Sequence, residues 1–273
     1  MRRGFGQHLR IGVSAHAVTL VKTSRFGKAG PQVLGELVLG NAGQSGFDAI
    51  AAAVRQLLAD AGCAKWTATI VLADELARIW QVSPPAGAAR LADLEGAAAL
   101  RFQSLYGESA SGWKLAGGWD AARPFIACAL PRPLLSMLGQ AAAGQHVTLV
   151  EIVPQFVAGW NRWRDELKPG AWYGLVQHNV LTLGAIEDGQ VRAVRASALP
   201  EGAGVEWLAQ HVVREALRLN LPAPQRLQLS GQVNPAWNNS SGAFACSLLA
   251  PVADKSLALL SPSARLAVTG LLS

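Results

Sequence analysis

Apolar residues recur at short, strand-like intervals in "LRIGVSAHAVTLVK" (9–22), and "QVLGELVL" (32–39) continues in the same style. The charged, glycine-bearing "SRFGKAG" between them predicts a loop. From Ser45 the period changes. Phe47, Ile50, Val54, Leu57, Leu58 and Ala61 fall three and four residues apart, as one face of a helix does, and Ser45 with Asp48 has the spacing of a capping box. "WTATIVLAD" (66–74), rich in Thr, Val and Ile, then predicts a buried strand.

The middle of the chain has a different texture. "ARIWQVSPP" (77–85) predicts a strand stopped by two prolines, and a helix from about Ala88 carries Leu91, Leu94, Ala98, Phe102 and Leu105 at helical spacing. "SGWKLAGGWD" and "PFIACALP" predict two more strands. Pro131 or Pro133 opens a helix through Leu134, Leu135, Leu138 and Ala141, since the first turn tolerates proline. "QHVTLVEIVP" is a strand, followed by a helix with Phe156, Trp160, Trp163 and Leu167 on one face. The order β-α-β-β-α-β has ferredoxin-like element counts. Lys168–Pro169–Gly170 is the clearest linker.

Beyond that linker the opening order returns. "WYGLVQHNVLTLGAI" (172–186) is a strand, a bend and a strand, and the Asp188–Gly189 turn leads into "QVRAVRASAL" (190–199). A helix follows with Val205, Leu208, Val212, Ala216 and Leu219 on one face, then the short strand "QRLQLSG" (225–231). Sliding the first unit onto the second sets Val13 on Val176, Ser14 on Gln177 and Thr19 on Thr182. "NPAWNNSSG" reads as a shortcut loop. "DKSLALLSPSARLAVTGLLS" adds a short helix or apolar tail, expected to pack on the second repeat. The organisation is thus a first repeat (1–76), an inserted α+β subdomain (77–152), a helix returning to the first repeat (153–169) and a second repeat (170–273).

Composition narrows the function classes. With 273 residues, 51% hydrophobic and 15% charged, the chain reads as globular, with one large domain or two and a sizeable core. A net charge of +6 permits nucleic acid or anionic lipid as partner. The basic residues are scattered, without the clustered stripe of a nucleic-acid binder, so no nucleic acid is expected. Cys63, Cys128 and Cys246 lie far apart in apolar surroundings and read as small buried hydrophobes in a reducing compartment. Met1–Arg10 lacks a secretory apolar stretch, and no window is long enough to span a membrane, so a cytoplasmic location is expected.

Candidate chemistry is sparse. His8, His16, His146, His178 and His211 show no metal-ligand spacing, and no metal site is expected. His16 and His178 align within two residues across the repeats, either facing each other or simply exposed on their hairpins. Asp74–Glu75 is a possible carboxylate pair, read as a solvated turn with a helix-starting Asp. Trp160, Trp163 and Trp207 sit at helical packing positions, whereas Trp237, in a polar loop, is the candidate for partner contact.

Four stretches carry a wider likeness: "IGVSAHAVTLVK", "RIWQVSPP" before "LADLEGAAALRFQ", the run "ALPRPLLSML…VTLVEIVPQFVAGW", and the hairpin "LVQHNVLTLGAIEDG". In their order the chain resembles the actin-like ATPase superfamily. Within it the chain resembles the PilM-type proteins of type IV pilus assembly, with the cytoplasmic domain of type II secretion L proteins as the near cousin. The likeness spans nearly the whole chain and rests on element order rather than a diagnostic motif. It implies an α/β fold: duplicated ribonuclease-H-like domains with a ferredoxin-like inserted subdomain, the fourth subdomain being absent at this length.

The resemblance also says what is missing. Such ATPases carry Asp-x-Gly at two phosphate hairpins and a Gly-Gly pair near the adenosine. The acids manage Mg²⁺, and the glycines let backbone N–H groups approach phosphate. Here the hairpins read Ser14–Ala15–His16 and Gln177–His178–Asn179, and the third place Ser230–Gly231–Gln232. Thr182 fits the hydroxyl position of the second hairpin. Ser14, His16, Gln177, Asn179, Thr182 and Gly231 are therefore read as a degenerate cofactor site. Phosphoryl transfer depends on charge stabilisation, so the expectation is a pseudo-ATPase with no catalytic residue and no cofactor, ATP with Mg²⁺ being the alternative.

The partner implied is the N-terminal cytoplasmic tail of a bitopic inner-membrane protein, held between the first repeat and the insert. Arg78, Trp80, Val82, Leu94 and Phe102 are the groove candidates. The positive charge suits a cytoplasmic protein peripheral to the inner membrane. Two rivals stand beside this scaffold: a docking domain for a type II secretion assembly ATPase, and an active enzyme whose acids are displaced to Asp74, Glu187 or Asp188.

Overall fold

The first alternating stretch forms a hairpin of β1 (Gln7–Val13) and β2 (Ala17–Ser24), extended by β3 (Gln32–Val38). The computed structural model describes residues 7–24, 30–40, 46–238, 244–249 and 260–271. Helix α1 (Phe47–Ala61) starts at Gly46 without a side-chain cap and stops at Gly62, in the left-handed conformation that favours glycine. The capping box expected from Ser45 lies outside the described residues. Ile50, Val54, Leu57 and Leu58 of α1 are buried as the periodicity predicts. β4 (Thr67–Leu72) then runs parallel to β1.

The chain next leaves this sheet for β5 (Arg78–Val82), α2 (Leu91–Tyr106), β6 (Trp113–Gly117) and β7 (Phe125–Pro131). It returns through α3 (Arg132–Gly144), opened by Pro131 at the N-cap and Pro133 in the first turn. β8 (Thr148–Pro154) pairs parallel with β4 and completes the order β3-β2-β1-β4-β8. α4 (Gln155–Trp163) follows.

This corrects the expected insert. It ends at residue 130, not 152, and is a three-stranded sheet in the order β5-β7-β6 beside one helix, not a ferredoxin-like unit. Its second helix and last strand belong to the first repeat. α3 turns Leu134, Leu138 and Ala141 into the core and packs on α1, while β8 finds an open edge at β4.

The second repeat contains β9 (Ala171–Gln177), β10 (Val180–Glu187), β11 (Gln190–Ala198), α5 (Val205–Leu219), β12 (Arg226–Gly231) and β13 (Ala245–Leu248). Its order, β11-β10-β9-β12-β13, repeats the first sheet, including its pattern of antiparallel and parallel pairs. Gly12 faces Thr19 in one hairpin and Leu175 faces Thr182 in the other, so the shift that sets Val13 on Val176 holds in register. The chain divides into two compact units. The first is Met1–Ala77, Pro131–Arg162 and Pro251–Ser273; the second is Arg78–Leu130 and Trp163–Ala250. The insert thus groups with the second repeat, where β5 lies beside β11.

The C-terminal segment also departs from expectation. Helix α6 (Pro262–Val268) lies on β1, β2 and β4 of the first repeat, not on the second. Two residues of β1 explain this. Gly12 leaves room for the helix backbone, since a Cβ there would lie 2.8 Å from Ala267 N. The buried Arg10 donates from Nε to Ala267 O (2.7 Å) and from Nη2 to Thr269 O (2.6 Å), satisfying carbonyls that a helix end leaves open. At the other end, Ser261 Oγ accepts from Ala264 N. Replacing Gly12 by Ala should cost about 1–3 kcal/mol by overpacking, read as a lower melting temperature and faster proteolysis within residues 260–271.

Candidate functional site

The two hairpin turns lie where a parallel neighbour strand also ends, and each turn is closed by the chain itself. In the first unit, the buried Ser14 follows β1 and folds its side chain over the turn. Its Oγ accepts from the N–H groups of His16 (3.2 Å) and Ala17 (3.0 Å) and donates to Ala17 O (3.1 Å). A serine bonded to its own turn in this way is a turn-former. The remaining turn amide, Ala15 N–H, donates to Glu75 Oε1 at 2.8 Å. Glu75 reaches it from a single helical turn, Asp74–Leu76, just after β4.

Asp74 itself is buried, not solvated as the sequence suggested. Its Oδ1 accepts from Phe156 N at 2.9 Å, within the first turn of α4. A carboxylate there satisfies an otherwise open helix amide and complements the positive end of the helix dipole.

The second unit repeats the arrangement with other residues. β9 ends at the buried Gln177, and His178 adopts a left-handed conformation (φ 50°). His178 N–H donates to Gln232 Oε1 (3.3 Å), while Gln232 N–H donates to Val176 O (2.8 Å). Gly231 is fixed by backbone crowding. Its φ is +91°, and a Cβ would lie 2.1 Å from Val176 O. This glycine is thus explained by the close approach of β9, its parallel neighbour, without a ligand. Asn179 is exposed, and its carbonyl accepts from Leu199 N (2.6 Å). Thr182 is buried on β10, and His16 and His178 are half-buried rather than exposed.

In both repeats, then, a side-chain oxygen from beyond the parallel strand binds the first turn amide: Glu75 after β4, Gln232 after β12. In a phosphate-binding hairpin such amides point at phosphate oxygens. Sequence reasoning missed this use of Glu75 and Gln232. The one available signal was a polar residue just past the fourth strand of each repeat.

The displaced-acid alternatives separate by position. Glu187 and Asp188 stand at the far end of β10, about 24 Å of strand rise from the His178–Asn179 turn. Asp188 and Gly189 form the β10–β11 turn with both φ positive (52° and 73°), and Glu187 pairs with Arg192 at 3.1 Å. Of these acids, only Asp74 and Glu75 stand beside the turn between β1 and β2. Among the described residues, no three or more His, Cys, Asp or Glu side chains are grouped to hold a metal.

The groove candidates are mostly core. Trp80, Val82, Leu94 and Phe102 are buried with Ala98, Phe125 and Ala127 between α2 and the insert sheet, Trp80 meeting Phe102 edge-on at 5.3 Å. A β5–α2 unit this small needs these side chains inside. Arg78 alone is half-buried, its guanidinium over the Tyr106 and Trp113 rings (5.6 and 5.5 Å). Leu91 and Leu105, aligned with the core face in sequence, are exposed. Trp237 is not a surface aromatic. It is buried in the core of the second repeat, and its Nε1 donates to Ala203 O (3.0 Å). The three cysteines are free thiols, and burial pushes Cys128 and Cys246 up to about 11.

No family model matches the chain, nor does any curated protein. Solved structures do. A Bacteroides thetaiotaomicron protein with an actin-like ATPase fold and unknown function is 12% identical, with 89% of this chain and 91% of that one covered at a TM-score of 0.62. The cytoplasmic domain of EpsL, an inner-membrane component of the Vibrio cholerae type II secretion system, is 10% identical, with 98% and 97% covered at 0.60. The PilM–PilN type IV pilus biogenesis complex matches at 16% identity, with 82% and 81% covered at 0.58. This chain therefore has the actin-like ATPase fold, shared with components of type II secretion and type IV pilus machines. Among the described residues, no helix is long and apolar enough to cross a membrane.

Two outcomes follow from the burial pattern. Phe102→Ala should destabilise by about 3–5 kcal/mol, seen as a lowered denaturant midpoint, because it hollows the insert core. A thiol near 11 is ionised about 100-fold less at pH 7 than one at the ordinary 9.0 from which burial raises it. Alkylation of Cys128 and Cys246 should therefore be at least that much slower in native protein than in urea, and should accelerate as pH rises towards 11.

Proposed function

We propose that this chain is a non-enzymatic scaffold, holding the cytoplasmic tail of a bitopic inner-membrane protein within a type IV pilus or related secretion machine. The observation that carries the loss of enzymatic activity is the state of the two hairpin turns. Ser14 and Gln177 stand where the family places acids, and Glu75 and Gln232 take the turn amides. These residues do not fit a magnesium nucleotide. A phosphate at Ala15 would have to displace a hydrogen bond to a charged group, worth about 2 kcal/mol, and approach the Glu75 carboxylate.

The choice of machine is supported by the fold shared with EpsL and with the PilM–PilN complex. A place in the cytoplasm at the inner membrane accords with the same likeness, and a net charge of +6 suits anionic lipid nearby. Because Trp80, Val82, Leu94 and Phe102 are core, the tail must be held by other residues. β6, the outer strand of the insert sheet, offers an edge for backbone pairing. A second reading, docking of an assembly ATPase, is favoured by the near-complete mutual coverage with the EpsL cytoplasmic domain.

Thermal unfolding with and without millimolar Mg-ATP tests the central claim. Ligand at a hundred times its Kd stabilises by about 2.7 kcal/mol, roughly 5–10 °C for a chain of this size. The expected result is no shift and no phosphate release. A clear shift would overturn the pseudo-ATPase reading, and titration with synthetic tails of bitopic partners or with an assembly ATPase then separates the two scaffold readings.

A further inference from the structure

The second unit carries a row of arginines that the hairpin turns do not involve. On α5, Trp207, His211, Arg214 and Arg218 follow one another at helical intervals along one stripe. β11 presents Arg195 and Ser197, two residues apart, on the same side. Ser197 Oγ lies 2.9 Å from His211 Nε2, and Arg214 Nη2 lies 3.1 Å from His211 Nδ1. Arginine can only donate, so Nδ1 accepts and Nε2 carries the proton, which it donates to Ser197. The ring is the neutral tautomer, stacked on Trp207 with centroids 4.8 Å apart. Burial holds His211 below the usual histidine value, against the opposing pull of Glu215.

At the centre of the row is Glu215, whose side chain is only 4% exposed. It receives Arg218 at 2.7 Å and Arg195 at 3.6 Å. Arg78 joins from β5, which lies beside β11. Its guanidinium lies over the Tyr106 ring, whose phenol burial raises, with the charges of Arg78 and Arg195 opposing that rise. Two guanidiniums, those of Arg195 and Arg218, thus pair with the buried Glu215, and that of Arg214 rests on His211 one turn earlier. Glu108, the carboxylate beside Trp113, is engaged by that indole at 3.1 Å. Arg195, Arg214 and Arg218 are exposed, and Leu217 between the last two is 76% exposed.

We propose that this seam of β5, β11 and α5 is a docking surface for an acidic protein segment, whose carboxylates are taken by Arg195, Arg214 and Arg218 and whose apolar side chain rests on Leu217. The guanidiniums of Arg195 and Arg218 are held in place by Glu215 and that of Arg214 by the His211 imidazole, so little of their freedom remains to be lost on binding. Their planar forks match carboxylates, and the chain's own Glu215 shows two of them converging on one. A lipid surface fits less well. No lysine occurs between Gln190 and Asn220, and Arg78 is recessed rather than projecting.

The test is fluorescence anisotropy with a labelled peptide of alternating Glu and Leu, at about 50 mM and about 200 mM NaCl. Vesicles of phosphatidylethanolamine and phosphatidylglycerol serve as the lipid probe. Saturable peptide binding should weaken at least about tenfold when Arg195→Gln and Arg214→Gln, both at exposed side chains, are combined. It should be unchanged by Arg101→Gln on the exposed side of α2. Melting curves establish that each variant is folded. If the double variant is not, Arg214→Gln alone is used, since that side chain is exposed. No peptide binding at the lower salt, equal loss in Arg101→Gln, or vesicle binding that depends on the cluster while the peptide does not bind would each overturn the proposal.

Discussion

Parallel pairing of the first and fourth strands in each repeat brings the end of one strand beside the end of the other, and the chemistry of both turns hangs on that adjacency. β1 and β4 end together at Val13 and Leu72, β9 and β12 at Val176 and Gly231. The residues leaving β4 and β12 are therefore delivered to the turns leaving β1 and β9. In an anion-binding version of this geometry the turn amides stay open for a ligand. Here the same geometry lets Glu75 and Gln232 close them. An amide left without a partner costs as much as a lost bond, so each turn amide is stabilised by a side-chain oxygen from its own chain.

The same adjacency spreads outward. Asp74, one residue before Glu75, is drawn inward to the first turn of α4, which ties the turn after β4 to the element following β8. On the same sheet, Gly12 and Arg10 dock α6, so the last described helix becomes part of the first repeat. A buried guanidinium is tolerable there because helix-end carbonyls accept its protons and Glu151 partly offsets its desolvation.

The insert follows a different logic. Three strands and one helix hold a core of aromatic rings: Trp80, Phe102, Tyr106 and Trp113 meet with centroids 5.0 to 6.1 Å apart. So small a layer leaves no apolar residue of β5 to spare for a groove. Its polar rim does the outward-facing work, with Arg78 resting on two of those rings beside β11.

Much of this was legible in sequence. Period and punctuation located the repeated hairpins, α1, α2, α5 and the Asp188–Gly189 turn, because side-chain periodicity and turn residues are local properties. Likewise, aligning the repeats set Ser14 on Gln177, positions where the resemblance implies acids. What pairs with what was not. β8 has the texture of an insert strand, and only the open edge of β4 decided its place. Trp237 stands in a polar loop, yet a short turn opened by Pro235 directs it into the core. Helix α6 chose the first repeat because Gly12 and Arg10, more than 240 residues earlier, offered space and donors. The sequence by itself determined the elements and the residues at the two hairpin turns. Only the tertiary structure decided which edges met, and with them which side chains closed the turns, because burial and hydrogen bonding between distant segments leave no periodic trace along the chain.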